Sequence, residues 1–265
     1  MINYQDNYVL YDENEYYEIF LYSTIGNRSE QQDRVGYEFK DIGGLVVLCD
    51  GMGGHEGGSL ASNIAVEEFL RAYQAYTGDD NPQQFLLQMI DSLDKKIASL
   101  RKPDHTKMRA GSTLSAILLE KNNLHWISVG DSRIYIYRKD EFVQVTQDHN
   151  YKMLLDEKKQ QGKISEAEHK SEMSKGNVLV SFLGVNGLPY VEHNSAPLEL
   201  LSGDIIVLIT DGIYKLLSDD EVREKLKEGQ TLEDILKNIH SLTKQKAIAN
   251  NVKQDNISIA LIKIK

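Results

Sequence analysis

Between residues 112 and 145 the chain offers four apolar runs in quick succession, at 112–119, 124–129, 133–138 and 141–145. Each is short, rich in β-branched and aromatic side chains, and reads as a strand. A parallel pair needs a crossover of a dozen residues or more, and these gaps are far shorter. The runs must therefore pair mainly antiparallel. Further runs at 18–25, 34–39, 44–49, 205–210 and 256–263 exceed what one open sheet holds comfortably, so two packed sheets are expected.

Helical spacing appears in three other places. In 59–73, Val66, Phe69, Leu70 and Tyr73 share a face. In 83–100, Leu86, Met89, Ile90, Leu93, Ile97 and Leu100 form a stripe. In 231–244, Leu232, Ile235, Leu236, Ile239 and Leu242 follow Thr231, a suitable N-cap. All three stripes read as core. The expected class is α+β, a β-sandwich with helices over its outer faces. A polar, charged stretch at 150–178 reads as helical in pieces and precedes a strand at 178–183. It is either a solvated insertion or a flap beside a site. No low-complexity linker divides the 265 residues, so one domain is expected over 1–265, with 1–17 as an N-terminal extension.

The apolar runs end on acids. "LVVLCDGMGGHEGG" (45–58) runs into Asp50 and then into five glycines, and "IIVLITDGIY" (205–214) runs into Asp211. Asp131 breaks "LHWISVGDSRIYIYR", while Asp33 and Asp255 stand just before strands. In an antiparallel sheet the end of one strand lies beside the start of the next, so the five acids can meet on one rim. A single such acid is an ordinary turn former. Five together would repel one another unless cations offset them. A dinucleotide loop does not fit: the spacing is not G-x-G-x-x-G, and an acid at the strand end would repel a pyrophosphate.

Charge and cysteine content narrow the classes further. With 30 basic against 40 acidic residues the formal charge is -10, which argues against a general binder of nucleic acid or anionic membranes. The single Cys49 excludes intrachain disulfides and reads as a buried hydrophobe in a reducing compartment. No run is long enough to span a membrane, and the acidic opening "MINYQDNYVLYDENE" is unlike a signal peptide, so a cytoplasmic location is expected.

The stretches "GNRSEQQD", "LCDGMGGHEGGSLAS", "GSTLSAILL", "VGDSRIYIYR", "VTQDHN", "GKISEAE", "NVLVSFLG", "LITDGIY" and "QDNISIALI" follow one another in an order that resembles the bacterial metal-dependent Ser/Thr protein phosphatases of type 2C, the PPM family. The resemblance covers about 20–265. It implies a four-layer α-β-β-α sandwich with two Mn²⁺ or Mg²⁺ ions at one end. By analogy Asp50 bridges both ions and Gly51 gives one of them its carbonyl oxygen. Asp211 and Asp255 hold the other, with Asp33 supporting it directly or through water. Asp131 joins Asp211 at a third, weaker ion, and Arg28 binds the phosphate. Hard cations of this kind prefer oxygen ligands. A pair of them can activate a water and clamp the attacking and leaving oxygens. Gly after Asp50 is expected to let the main-chain carbonyl turn toward a metal.

The implied activity is hydrolysis of phosphoserine and phosphothreonine in proteins that a Ser/Thr kinase has modified, by a monomer. Two departures stand out. The family's Asn-Glu before the aspartate is Gln31-Gln32 here, which removes one charge from the second metal site. Met52 stands where some relatives have a histidine. His55 is close enough in sequence to be a catalytic candidate, whereas His149 reads as structural. Two alternatives stay open: a pseudophosphatase that binds phosphoproteins without turnover, and a phosphatase for small phosphoesters.

Overall fold

The structure is a computed structural model that describes residues 7–54 and 57–265. The chain opens with β1 (Asn7–Glu13), β2 (Tyr17–Thr24), β3 (Asp33–Lys40) and β4 (Gly43–Met52), then α1 (Gly57–Ala75) and α2 (Pro82–Ala98). Next come β5 (Gly111–Ser112), β6 (Leu114–Glu120), β7 (Asn123–Val129), β8 (Arg133–Arg138) and β9 (Glu141–Gln144). The polar segment holds α3 (Tyr151–Gln160) and α4 (Glu166–Glu172), and β10 (Glu192–His193), β11 (Leu198–Glu199) and β12 (Ile205–Ile209) follow. The last elements are α5 (Asp211–Tyr214), α6 (Asp219–Glu228), α7 (Leu232–Ala249) and β13 (Ile257–Ile264).

The described strands form two sheets, one ordered β1-β2-β13-β12-β8-β9 and the other β10-β7-β6-β4-β3, with β5 on β4 and β11 on β7. Every pairing between these strands is antiparallel, as the short gaps require. Ile19, Leu21, Val35, Val46, Leu48, Ile206 and Ile262 fill the space between the sheets. Leu45, Val47 and Cys49 point to the other face of β4, where Val66, Phe69, Leu86 and Leu93 of α1 and α2 cover them. On the far side, Val207, Ile209 and Leu261 pack beneath Val222 and Leu226 of α6 and Ile235 and Ile239 of α7. Both faces of β4 and β12 are thus buried, which explains their unbroken apolar runs. The expected four-layer α-β-β-α sandwich is the fold that forms.

The helical stripes hold their places. Thr231 caps α7 by accepting from the Asp234 N–H, and Asn81 caps α2 ahead of Pro82. Three features differ from expectation. The stretch set aside as an N-terminal extension contains β1, paired with β2 along its length. Tyr8 secures it, its hydroxyl donating to the Val35 carbonyl and accepting from the Val35 N–H, both at 3.0 Å. The strand expected at 178–183 does not form. That segment touches two separate elements at single bridges, Asn150↔Leu179 and Ser112↔Leu183. It then turns where the buried Asp94 carboxylate accepts from the N–H groups of Gly184, Asn186 and Gly187. The charged helix α6 went unread, although Ser218 and Glu221 form a capping box at its start.

Candidate metal centre

The layer between the sheets changes character at one end. Along β2, residues 19 and 21 face inward as Ile and Leu, and the next in phase is Ser23. Along β3 the inward Val35 is preceded by Asp33, and along β4 Val46 and Leu48 are followed by Asp50. Beyond Leu208 the same phase reaches Thr210, and before Ala260 it reaches Ser258. Strand alternation therefore places a carboxylate or hydroxyl at the end of each inward row. Asp33 and Asp50 stand directly opposite each other in the β3–β4 ladder. Thr210 reaches across from the other sheet and donates to Asp33 Oδ2 at 2.8 Å.

The other acids join this end from the connections. Ile209 pairs with Arg133, which brings Asp211, just past β12, beside Asp131, just before β8. Ile209 also pairs with Ile259, so Asp255 lies at the same end, ahead of β13. Strand-end and strand-start acids thus share one rim, as antiparallel topology predicts.

The rim acids fall into two electrostatic groups. Burial, reinforced by the field of Asp211, pushes the Asp33 carboxyl up to about 8. Burial and the fields of Asp33 and Asp211 hold Asp50 well above the usual carboxylate range. Asp131 rises to about 6, through burial first and Asp211 second. The outer acids have side-chain cations instead. Arg28 Nη2 donates to Asp255 Oδ2 at 2.5 Å, and Lys215 Nζ donates to Asp211 Oδ2. Among the described residues no three carboxylate, imidazole or thiol groups already close around one cation position, consistent with Arg28 and Lys215 each drawing one carboxylate aside. The donor set suits a hard divalent ion nonetheless: the Asp50, Asp211 and Asp255 carboxylates face one cleft, with Asp33 buried behind them.

That cleft has a volume of ≈ 430 Å³, and Arg28, Gln32, Asp50, Gly51, Asp211 and Asp255 line it. A second, of ≈ 330 Å³, is lined by Asp50, Thr113, Asp131, Val178, Asp211 and Lys215. Met52 borders both. Gly51 also has a steric reason. Its φ is not in the left-handed range, but a Cβ there would lie 2.2 Å from the Gly58 carbonyl oxygen and 2.7 Å from that of Gln32. Glycine is needed because main chain crowds it on two sides.

Several positioning residues escaped the sequence reading. Thr113 receives the Asp50 N–H on its hydroxyl at 2.9 Å and donates its own N–H to the Asp50 carbonyl at 2.8 Å. Asn256 ties down the 25–32 loop, accepting from Gln32 N–H and donating to the carbonyls of Ile25 and Glu30. Lys215 had a legible signal, since residues four apart on a helix meet, and Asp211 is its partner. The side chains of Asn256 and Thr113 act through partners remote in sequence.

The remaining candidates separate clearly. Gln31 is buried, donating to Ser23 Oγ and accepting the Asp33 N–H, so it positions Asp33. Gln32 borders the cleft, its amide 3.3 Å from Glu30 Oε2. An acid is therefore still present two residues from the position where one is missing. His149 is buried and drops to about 4, chiefly through burial. Its Nδ1 accepts from the Gly130 N–H, which fastens the turn before Asp131. His55 lies outside the described residues. Burial pushes the Cys49 thiol far up, and it packs against the helices on the face away from the cleft. Of α3 only Met153 and Leu155 are buried, and of α4 none is, while Asn177, Val178 and Leu179 reach the second cavity.

Known proteins resemble this chain throughout. The family model described as protein phosphatase 2C matches residues 22–254. The serine/threonine phosphatase stp of Listeria innocua is 29% identical over 239 residues, covering 89% of this chain and 90% of its own. The protein phosphatase PhpP of Streptococcus pneumoniae is 28% identical over 250 residues, covering 92% and 96%. Among solved structures, the S. agalactiae serine/threonine phosphatase superposes with a TM-score of 0.80 at 28% identity, covering 94% of this chain and 100% of that one. The catalytic domain of the phosphatase PstP, solved with two manganese ions, shares the fold at 23% identity and a TM-score of 0.72, covering 94% and 98%.

Proposed function

The chain belongs to the protein phosphatase 2C family, and from that membership we propose that it hydrolyses phosphoserine and phosphothreonine in proteins with the help of Mn²⁺ or Mg²⁺. The observation that carries the reading is the gathering of Asp33, Asp50, Asp131, Asp211 and Asp255 on one rim of the sandwich, beside a cleft that also contains Arg28. Asp50 is central and would serve two ions. Asp211 and Asp255 would hold one of them with Asp33 behind, Gly51 would offer its carbonyl, and Asp131 would join Asp211 at a third. The two manganese ions of PstP support the choice of cation. Bound metal would neutralise the phosphoryl group and supply a water activated near neutral pH.

The chain's own side chains do the rest. Arg28 is more than half exposed. It can swing its guanidinium from Asp255 to the phosphoryl oxygens, where the planar fork matches two acceptors at once. Asn256 and Thr113 keep the loop and the Asp50 backbone fixed while this happens. No residue need become covalently phosphorylated, and Cys49 takes no part. The Gln31-Gln32 exchange leaves the other acids in place, which favours turnover over a purely binding role. The substrates would be proteins phosphorylated by a Ser/Thr kinase. A reducing cytoplasm suits the free Cys49, and no described helix is long and apolar enough to cross a membrane. The test is Mn²⁺-dependent phosphate release from a phosphothreonine peptide and its phosphotyrosine counterpart. Faster release from phosphothreonine, abolished by chelator, is expected; release that ignores chelator would overturn the reading.

A further inference from the structure

Beside the acidic cleft stands a hairpin of opposite charge. Arg101, Lys102, Lys107 and Arg109 fall within a few residues of one another, against the single acid Asp104, in a chain whose formal charge is -10. Two of these groups have structural duties. Arg101 donates to the carbonyls of Ser99 and Leu100 at the end of α2, and Asp104 accepts from the Thr106 N–H and hydroxyl. Lys102, Lys107 and Arg109 are exposed and form no ion pair among the described residues. The hairpin that presents them is held in shape, with Lys102 N–H bonded to the Thr106 carbonyl at 2.9 Å and Met108 N–H to that of Leu100 at 3.1 Å.

Its base is pressed against the Gly-rich loop. A Cβ at Gly53 would lie 2.3 Å from the Arg109 carbonyl oxygen, and one at Gly57 2.0 Å from it. Between hairpin and loop lies a cavity of ≈ 370 Å³ that Gly53, Gly54, Gly57, Lys102, Met108 and Arg109 line, with no acid among its described lining residues. Gly53 and Gly54 also line the cleft that contains Asp50. The two cavities therefore adjoin, one ringed by carboxylates and the other bordered by cations.

We propose that the second cavity is a subsite for an anionic side chain, a carboxylate or a second phosphate, that flanks the scissile phosphoresidue of a protein substrate. The inference rests on the phosphatase reading and adds a substrate class to it. A phosphopeptide whose phosphate enters the Asp50 cleft extends about 3.3 Å per residue, so a side chain a few positions away reaches the cations. Lys102 and Arg109 then supply the attraction, and the small residues Gly53 and Gly54 leave the passage open. A nucleic acid would carry its charge along the whole acidic surface and be repelled there.

The test uses phosphothreonine peptides with Glu, phosphoserine, Gln or Lys placed at each flanking position in turn, with a small aryl phosphate as control. The wild-type chain should favour the Glu- and phosphoserine-flanked peptides over the Gln-flanked ones by roughly 3–10-fold in kcat/KM, less at high salt. The relative rates of the first two distinguish carboxylate from phosphate as the preferred anion. Lys102→Glu with Arg109→Glu should abolish or reverse that preference and leave the aryl phosphate rate unchanged, and the neutral pair Lys102→Gln with Arg109→Gln should flatten it. If the wild type hydrolyses all the peptides equally, or the variants keep its ranking, the subsite is refuted while the phosphatase reading stands. If no phosphopeptide yields phosphate in Mn²⁺, the phosphatase reading fails and takes the subsite with it.

Discussion

The inner and outer acids of the rim face the same problem and meet it differently. Asp211 and Asp255 lie toward the edge, and each has a tethered cation, Lys215 or Arg28. Asp33 and Asp50 lie deeper, and burial with neighbouring negative charge raises both. The Asp33 carboxyl is hydrogen-bonded by the Thr210 and Ser258 hydroxyls, and its own N–H donates to the Gln31 amide oxygen. The outer pair can wait in a metal-free protein at little cost, because internal charges screen it. The inner pair is not offset in this way, so under the proposed function the free energy of cation binding would be concentrated there. Affinity should accordingly depend most on the inner acids, while the outer pairs tune how readily ions enter.

Removing the central charge is the sharpest way to break this comparison. Asp50→Asn should lower Mn²⁺-dependent kcat/KM by about 10²-fold or more, because under the proposed function one carboxylate would serve two ions. Retention of most turnover in the purified variant would mean that Asp50 is not the shared ligand.

Asp33 tests the cost of the inner site. Its carboxyl is raised, so the folded state keeps a proton that the unfolded chain has lost. Stability of metal-free protein should therefore fall as pH rises from about 4 to about 8. Asp33→Asn keeps an acceptor for Thr210 but removes the charge. At pH 7.5 it should raise the Tm of chelator-treated protein by roughly 3–10 °C, a gain on the order of 1–3 kcal/mol, and weaken the further rise that Mn²⁺ gives. A lower Tm in chelator than wild type would show that the buried acid is structurally useful as it stands.

The outer pair gives the smallest expected effect. Lys215→Met frees Asp211 from its competing cation, so the Mn²⁺ concentration for half-maximal binding, read by calorimetry or Mn²⁺ electron paramagnetic resonance, should drop by roughly 3–10-fold. An increase instead would assign Lys215 to supporting the site, and the distinction between the two groups of acids would collapse.

How much of this was legible follows from the range of the forces involved. Short gaps between strands are a local property, and they dictated antiparallel pairing and the rim on which Asp33, Asp50, Asp131, Asp211 and Asp255 gather. Apolar stripes likewise located α1, α2 and α7. β1 was missed because its residues NYVLYDE are polar enough to read as an extension; its pairing with β2 and the Tyr8–Val35 bonds hold the strand in place. The segment at 178–183 looks like a strand but has single bridges to different elements, a fact of tertiary placement. Asn256 and Thr113 escaped notice because an amide or hydroxyl says nothing of its partner. At Gly51 the nearness of the Gly58 carbonyl leaves no room for a Cβ, a matter of tertiary placement that no local pattern reveals.

The position of β13 has a consequence for how the molecule comes into being. It is inserted between β2 and β12, with Thr24 paired to Ile257 across nearly the whole chain. Contacts of such long range are slow to form, and a chain made from its N-terminus cannot complete this sheet until β13 has left the ribosome. Asp255 immediately precedes that strand. The rim therefore remains incomplete until β13 has emerged, and a nascent chain cannot dephosphorylate its surroundings before its own framework has closed.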